Sequence, residues 1–103
     1  MYLDMIHNIA MIRSFRNKVT EQVAKGQSPK GFPSDLLKVA RRKLVMLDNA
    51  TTLDDLRVPP ANRLEALKAD RTGQHSIRVN DQFRLCFRWV DGHAEDVEFV
   101  DYH

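Results

Sequence analysis

The chain has 103 residues, of which 43% are apolar and 29% charged, with a net charge of +2 at pH 7. That balance suits one soluble globular domain with a modest core; it excludes a disordered chain and leaves no room for a second core. The net charge is too small to demand a polyanionic partner, but it is unevenly spread. Between Arg57 and Arg88 there are seven Lys or Arg against three acids, whereas Trp89 to His103 holds five acids and no Lys or Arg. A basic region followed by an acidic strand can bind phosphate and still pair internally, although an ordinary mixed-charge surface would look the same.

Cys86 is the single cysteine, so no internal disulfide can form, and a reducing, cytoplasmic compartment fits. No apolar run approaches the roughly 18 residues of a membrane span. The opening MYLDMIHNIA lacks a basic start and is interrupted by Asp4, His7 and Asn8, unlike a signal peptide. Met5 and Met11 are alternative starts, and residues 1–10 read as an extension before a single domain over 11–103.

MIRSF, Met11 to Phe15, has the look of a short first strand. Asn17 to Lys25 predicts a helix with Val19 and Val23 as a narrow apolar stripe and Gly26 closing it. Gln27 to Pro33 is a connection. A longer helix follows, with Ser34 expected as N-cap and Asp35 beside the positive end of the dipole. Leu37, Ala40, Leu44 and Leu47 repeat at helical spacing as its buried face, with Leu36 and Val45 on the margins. Lys38, Arg41, Arg42 and Lys43 form a basic shoulder, expected to be a solvated face or an RNA contact. The helix ends near Asn49, Thr51 to Asp55 makes a short turn, and Pro59-Pro60 stops regular structure.

Arg63 to Leu67 predicts a strand, Asp70 to Gln74 a turn, and His75 to Val79 a second strand with Ile77 and Val79 on one face. Asn80-Asp81 is a polar break. In Phe83 to Val90, Phe83, Leu85, Phe87 and Trp89 alternate with Arg84, Cys86 and Arg88. Asp91-Gly92 marks a tight hairpin, and a final strand runs to the end. The expected class is α+β: two helices on one face of a small, mainly antiparallel sheet.

Several chemistries drop out. There is no glycine-rich phosphate loop, no nucleophile-elbow serine, and no metal-ligand spacing among His7, His75, His93 and His103. What remains is phosphate chemistry that needs no metal or other cofactor. RNA carries its own nucleophile, the 2′-hydroxyl. Cleavage then needs a base, an acid for the leaving 5′-oxygen, and cations at the transition state. Glu65 is the candidate base, Lys68 and Arg84 the cations, and Tyr102 or His103 the acid. Each has an ordinary alternative. Glu65 can be a solvent-facing strand residue, Arg84 an ion-pair partner of the acidic final strand, His75 a half-buried strand residue, and Tyr102-His103 a frayed end.

The segment RLEALKADRTGQHSIRVNDQFRLCFRW, the Asp-Gly hairpin and the ending VDYH resemble the HigB branch of RelE-type toxins, nearest its GraT-like members. MIRSF and RKLVMLDNATTLDDL resemble it too, so the likeness spans Met11 to His103. It implies a RelE-like microbial-ribonuclease fold with a curved sheet, and a toxin that cleaves mRNA in the ribosomal A site and so inhibits translation. The implied partners are the ribosome, mRNA and a HigA-type helix-turn-helix antitoxin, operator DNA being reached only through the antitoxin. No membrane is implied.

By position, Lys68 and Arg84 match the family's phosphate-binding cations, Arg71 a basic neighbour, and Asp101, Tyr102 and His103 its functional C-terminal residues. Two positions depart from the pattern: Glu65 stands where HigB toxins usually have His, and His75 where they have Trp. YoeB-like relatives carry E-x-L-K with the Glu as general base, which Glu65-Ala66-Leu67-Lys68 reproduces. His75 is the expected base-stacking residue. The alternative is a ribosome-binding inhibitor of translation or ribosome assembly with weak or no cleavage.

Overall fold

A computed structural model describes residues 12–101. Among these residues two α-helices, α1 (Lys18–Ala24) and α2 (Leu37–Asn49), precede four strands: β1 (Glu65–Ala66), β2 (His75–Arg78), β3 (Phe83–Val90) and β4 (His93–Asp101). The strands form one antiparallel sheet in the order β1-β2-β3-β4. Both helices pack on the same face, giving the expected α+β architecture.

Strand alternation builds the core. Ile77, Leu85 and Phe87 are fully buried and meet Val23 of α1 and Ala40, Leu44 and Leu47 of α2. Burying a leucine of this kind contributes about 1.5–3 kcal/mol relative to exposure. The hairpin between β3 and β4 turns on Asp91 and Gly92, both at positive φ, as a two-residue type I′ turn requires. Further along, Cys86 pairs with Glu98 but Arg88 with Glu95, so β4 carries one extra residue. Asp96 absorbs it at φ 52, and its backbone N–H donates to Ser14 Oγ at 2.8 Å.

The first expected strand takes a different form. Ile12 and Phe15 make isolated parallel bridges to Ala94 and Val97, and the Thr20 hydroxyl accepts from Phe99 N–H. The segment therefore covers the open edge of β4 rather than adding a regular strand. Thr20, needed for that bond, is buried in α1, while Val19 of the expected apolar stripe is exposed. Asn17 caps α1, its side chain accepting from Thr20 N–H.

Ser34 is not the cap expected for the second helix. Ser34–Leu36 forms a 3₁₀ turn, α2 begins at Leu37, and neither start has a side-chain cap. Lys43 departs most from expectation. It is buried, not part of a solvated shoulder, and its Nζ donates to Asn62 Oδ1 at 2.6 Å. Burial, then the charges of Arg42 and Arg78, push its pKa below that of an ordinary lysine. Asn62 in turn donates to the Leu56 and Val58 carbonyls, fastening the loop before β1 onto α2. Regular pairing in Arg63–Leu67 is confined to Glu65 and Ala66.

Candidate active site

The face of the sheet turned away from the helices is polar. Glu65 pairs in register with Ser76, Ser76 with Cys86 and Cys86 with Glu98, so these four side chains share one side. Arg78, Arg84 and Arg88 follow at alternate positions on the same side. Ser76 and Cys86 are fully buried in its centre. The Ser76 hydroxyl has no hydrogen-bond partner among the described residues. Burial raises the Cys86 thiol pKa, with Arg71 and Arg84 opposing and Glu98 reinforcing that shift.

Arg84 is held from two directions. Its Nη1 lies 3.5 Å from Glu65 Oε1, and its Nη2 donates to the Arg63 carbonyl at 2.8 Å. Only 11% of the Arg84 side chain is exposed, against 51% for Glu65. A guanidinium this buried needs such partners to offset the loss of water. Arg63 can present its carbonyl because it sits in the left-handed region, closing the 3₁₀ turn Pro60–Asn62.

Arg71 occupies the other end of the face. One of its terminal nitrogens donates to Gln74 at 3.0 Å and to Glu98 at 3.2 Å. Lys68, at the mouth of the 3₁₀ turn Ala69–Arg71, is exposed, and none of the ion pairs among the described residues engages it. Asp101 closes β4 and accepts from Gln82 Nε2 at 3.1 Å. Tyr102 and His103 lie outside the described residues.

His75 is not brought to this group. It pairs in register with Phe87, whose ring it stacks against at 6.3 Å, so its side chain lies on the helix side of the sheet. Arg88 is engaged by Asp96 at 3.6 Å and lies over Gly73. The internal pairing of Arg84 with an acid does occur, and Glu65 supplies one such acid.

Beside Arg84 opens a cleft of about 360 Å³ lined by Arg63, Arg78, Asn80, Asp81 and Arg84. Sequence reasoning passed over Arg63 and Arg78. The signal for Arg78 was present: alternation in HSIRVN and FRLCFR puts it on the face of Arg84 once Asn80 closes the turn. Arg63 gave no periodic signal, since its place depends on the Lys43–Asn62 contact upstream.

The arrangement thus joins a carboxylate, a largely buried guanidinium and further cations around one polar face. The family model for the RelE-like toxin of the type II toxin–antitoxin system HigB matches residues 13–103. The chain belongs to the HigB family. Its HigB relatives include Toxin HigB-1 of Vibrio cholerae, 42% identical over 94 residues, covering 90% of this chain and 98% of that one. Endoribonuclease HigB of Proteus vulgaris is 30% identical over 93 residues, covering 90% and 100%. The YoeB–YefM complex from Staphylococcus aureus contains a chain of the same fold, with a TM-score of 0.58 at 20% identity, covering 89% of this HigB-family chain and 97% of that one. As a member of this family the protein is a toxin whose partner is an antitoxin. No helix among the described residues is long and apolar enough to cross a membrane.

Proposed function

We propose that this toxin is an endoribonuclease that cuts mRNA on the ribosome, with Glu65 and Arg84 at the centre of its active site. The observation that carries the reading is the 3.5 Å approach of Glu65 to Arg84 on the polar face. Membership of the HigB family and the endoribonuclease name of the Proteus relative support it.

The chemistry follows from the placement. Glu65, exposed enough to meet substrate, takes the 2′-hydroxyl proton. The oxygen then attacks the adjacent phosphorus. Arg84 and Lys68 face the charge that develops on the phosphoryl oxygens, where fixed cations count most. The proton for the leaving 5′-oxygen comes from the Asp101-Tyr102-His103 end of the chain. Arg71 contributes positive potential while tied to Glu98.

The same proposal takes residues 11–103 as the toxin domain and residues 1–10 as an extension. It makes the antitoxin HigA-type, the site of action the ribosome, and the compartment the cytoplasm.

The test is to add purified protein to translating ribosomes and map new mRNA 5′ ends. Wild type gives new ends phased to codons, and Arg84→Ala gives none while unfolding cooperatively like a folded domain. Normal cutting by Arg84→Ala would remove Arg84 from the site. Translation arrest without new ends would replace the nuclease with a ribosome-binding inhibitor. Equal cutting of free RNA would remove the ribosome requirement.

A further inference from the structure

The cleft beside Arg84 holds two cations that the catalytic roles above leave unused. Arg63 and Arg78 line it together with Arg84, Asn80 and Asp81. Arg78 and Arg84 are direct partners across β2 and β3. Like charges directly opposite one another destabilise a sheet unless something neutralises them. Asp81 pairs with Arg78 and Glu65 with Arg84. No carboxylate pairs with Arg63 among the described residues, and Arg63 is exposed at the cleft.

We propose that Arg63 and Arg78, with Arg84, form a second phosphate subsite, which holds the RNA backbone next to the phosphate being cut. The inference rests on the endoribonuclease reading. It fits the chemistry of the lining, because a guanidinium fork matches the oxygens of a phosphodiester and stays charged at all working pH values. It also fits the layout. The cleft is lined by Arg84, which pairs with Glu65, and the cations continue along the same face to Arg88, four strand residues or roughly 13 Å from Arg84. A basic track of that kind follows a single strand through several phosphates, whereas one catalytic phosphate needs a single cluster. Asn80 has its side-chain oxygen committed to Gln82 and Phe83 N–H groups, so it holds the cleft wall in shape.

The experiment uses the full chain and a fluorescent eight-nucleotide 2′-O-methyl RNA, which offers no 2′-hydroxyl nucleophile. Binding is followed by anisotropy between low and moderate salt. Arg63→Met/Arg78→Met is expected to bind about ten-fold more weakly, and its log K against log salt plot should flatten by about 0.7 for each phosphate that the variant no longer neutralises. Arg63→Lys/Arg78→Lys keeps the charges and should retain most of the slope. Lys18→Met/Lys25→Met removes two charges from the α1 region and controls for net charge.

A set of strands with one methylphosphonate each locates the subsite along the RNA. The position that weakens wild-type binding should have no effect in the Met double variant. An unchanged slope in that variant, or an equal loss in the α1 control, overturns the subsite. So does weakened antitoxin binding with RNA binding intact, which would assign the cleft to the protein partner. Cleavage is read apart from binding: if wild type binds as expected but cuts no mRNA on ribosomes, the nuclease reading fails, and the cleft stands only as an RNA-backbone site with no cut phosphate beside it.

Discussion

Glu65 and Arg84 meet across an intervening strand. Glu65 is on β1 and Arg84 on β3, yet carboxylate and guanidinium are 3.5 Å apart, with Ser76 of β2 between them in the sheet. The contact joins an exposed acid to a nearly buried base partner. In the proposed reaction an incoming phosphate competes for Arg84 and releases Glu65 toward a 2′-hydroxyl, and until then their ion pair helps to hold both groups in place.

Glu65→Gln tests the acid–base half of this pair. The amide preserves shape and can still approach Arg84, but it accepts no proton at neutral pH. Loss of a general base is expected to slow single-turnover cleavage by about 10²–10⁴-fold. Binding of uncleavable RNA should change far less. Equal cleavage by Glu65→Gln would move the base elsewhere.

The Lys43–Asn62 bond should appear as an energetic coupling. Asn62→Leu leaves a buried ammonium without its acceptor, and Lys43→Met leaves the Asn62 carbonyl oxygen without its donor. Each is expected to cost about 1–3 kcal/mol in urea unfolding, with the double variant costing less than the two together. Additive losses would show that the contact carries no energy.

The same lysine gives a pH dependence. Its folded-state pKa lies below 10.5, so between that lowered value and 10.5 the unfolded chain binds the extra proton. Stability of wild type relative to Lys43→Met should therefore rise as pH climbs through this window, and stay level below it. A difference that falls with rising pH would contradict the assignment.

Cys86 should be inert to thiol reagents while the domain is folded. It is fully buried, and burial raises its pKa, so little thiolate forms. Labelling with a chromogenic disulfide is expected to follow the opening rate and become fast in denaturant. Rapid labelling of the native protein would refute the burial.

Gly73→Ala probes the turn before β2. Gly73 has φ +94, and an added Cβ would lie 2.9 Å from Arg88 Nη1. The backbone strain costs about 1–2 kcal/mol, and the arginine end can swing aside. Thermal unfolding should show the loss; wild-type stability would mean that the turn relaxes to negative φ.

Local pattern carried much of the fold. The alternation in Phe83–Val90, the Asp-Gly turn and the Leu44/Leu47 stripe each depend on neighbours within a few residues, and all three appear as expected. The residue types of the proposed site follow from chemistry alone, because phosphate cleavage asks for a base and cations whatever the fold. Where Ser34 and Val19 departed from expectation, longer-range needs prevailed. Thr20 is turned inward to satisfy Phe99 N–H on β4, and α2 starts through a 3₁₀ turn after Pro33.

The sequence by itself determined the periodic elements, the charge asymmetry and the family. Only tertiary structure decided which charges meet. Register places Glu65 diagonally from Arg84 across β2 and puts His75 on the opposite side with Phe87. Packing turns Lys43 inward to Asn62, and the loop fixed there delivers Arg63 to the cleft. Periodicity says which face of its own element a residue occupies. Side-chain reach between strands and across loops depends on register and burial, which arise only when the whole chain has packed.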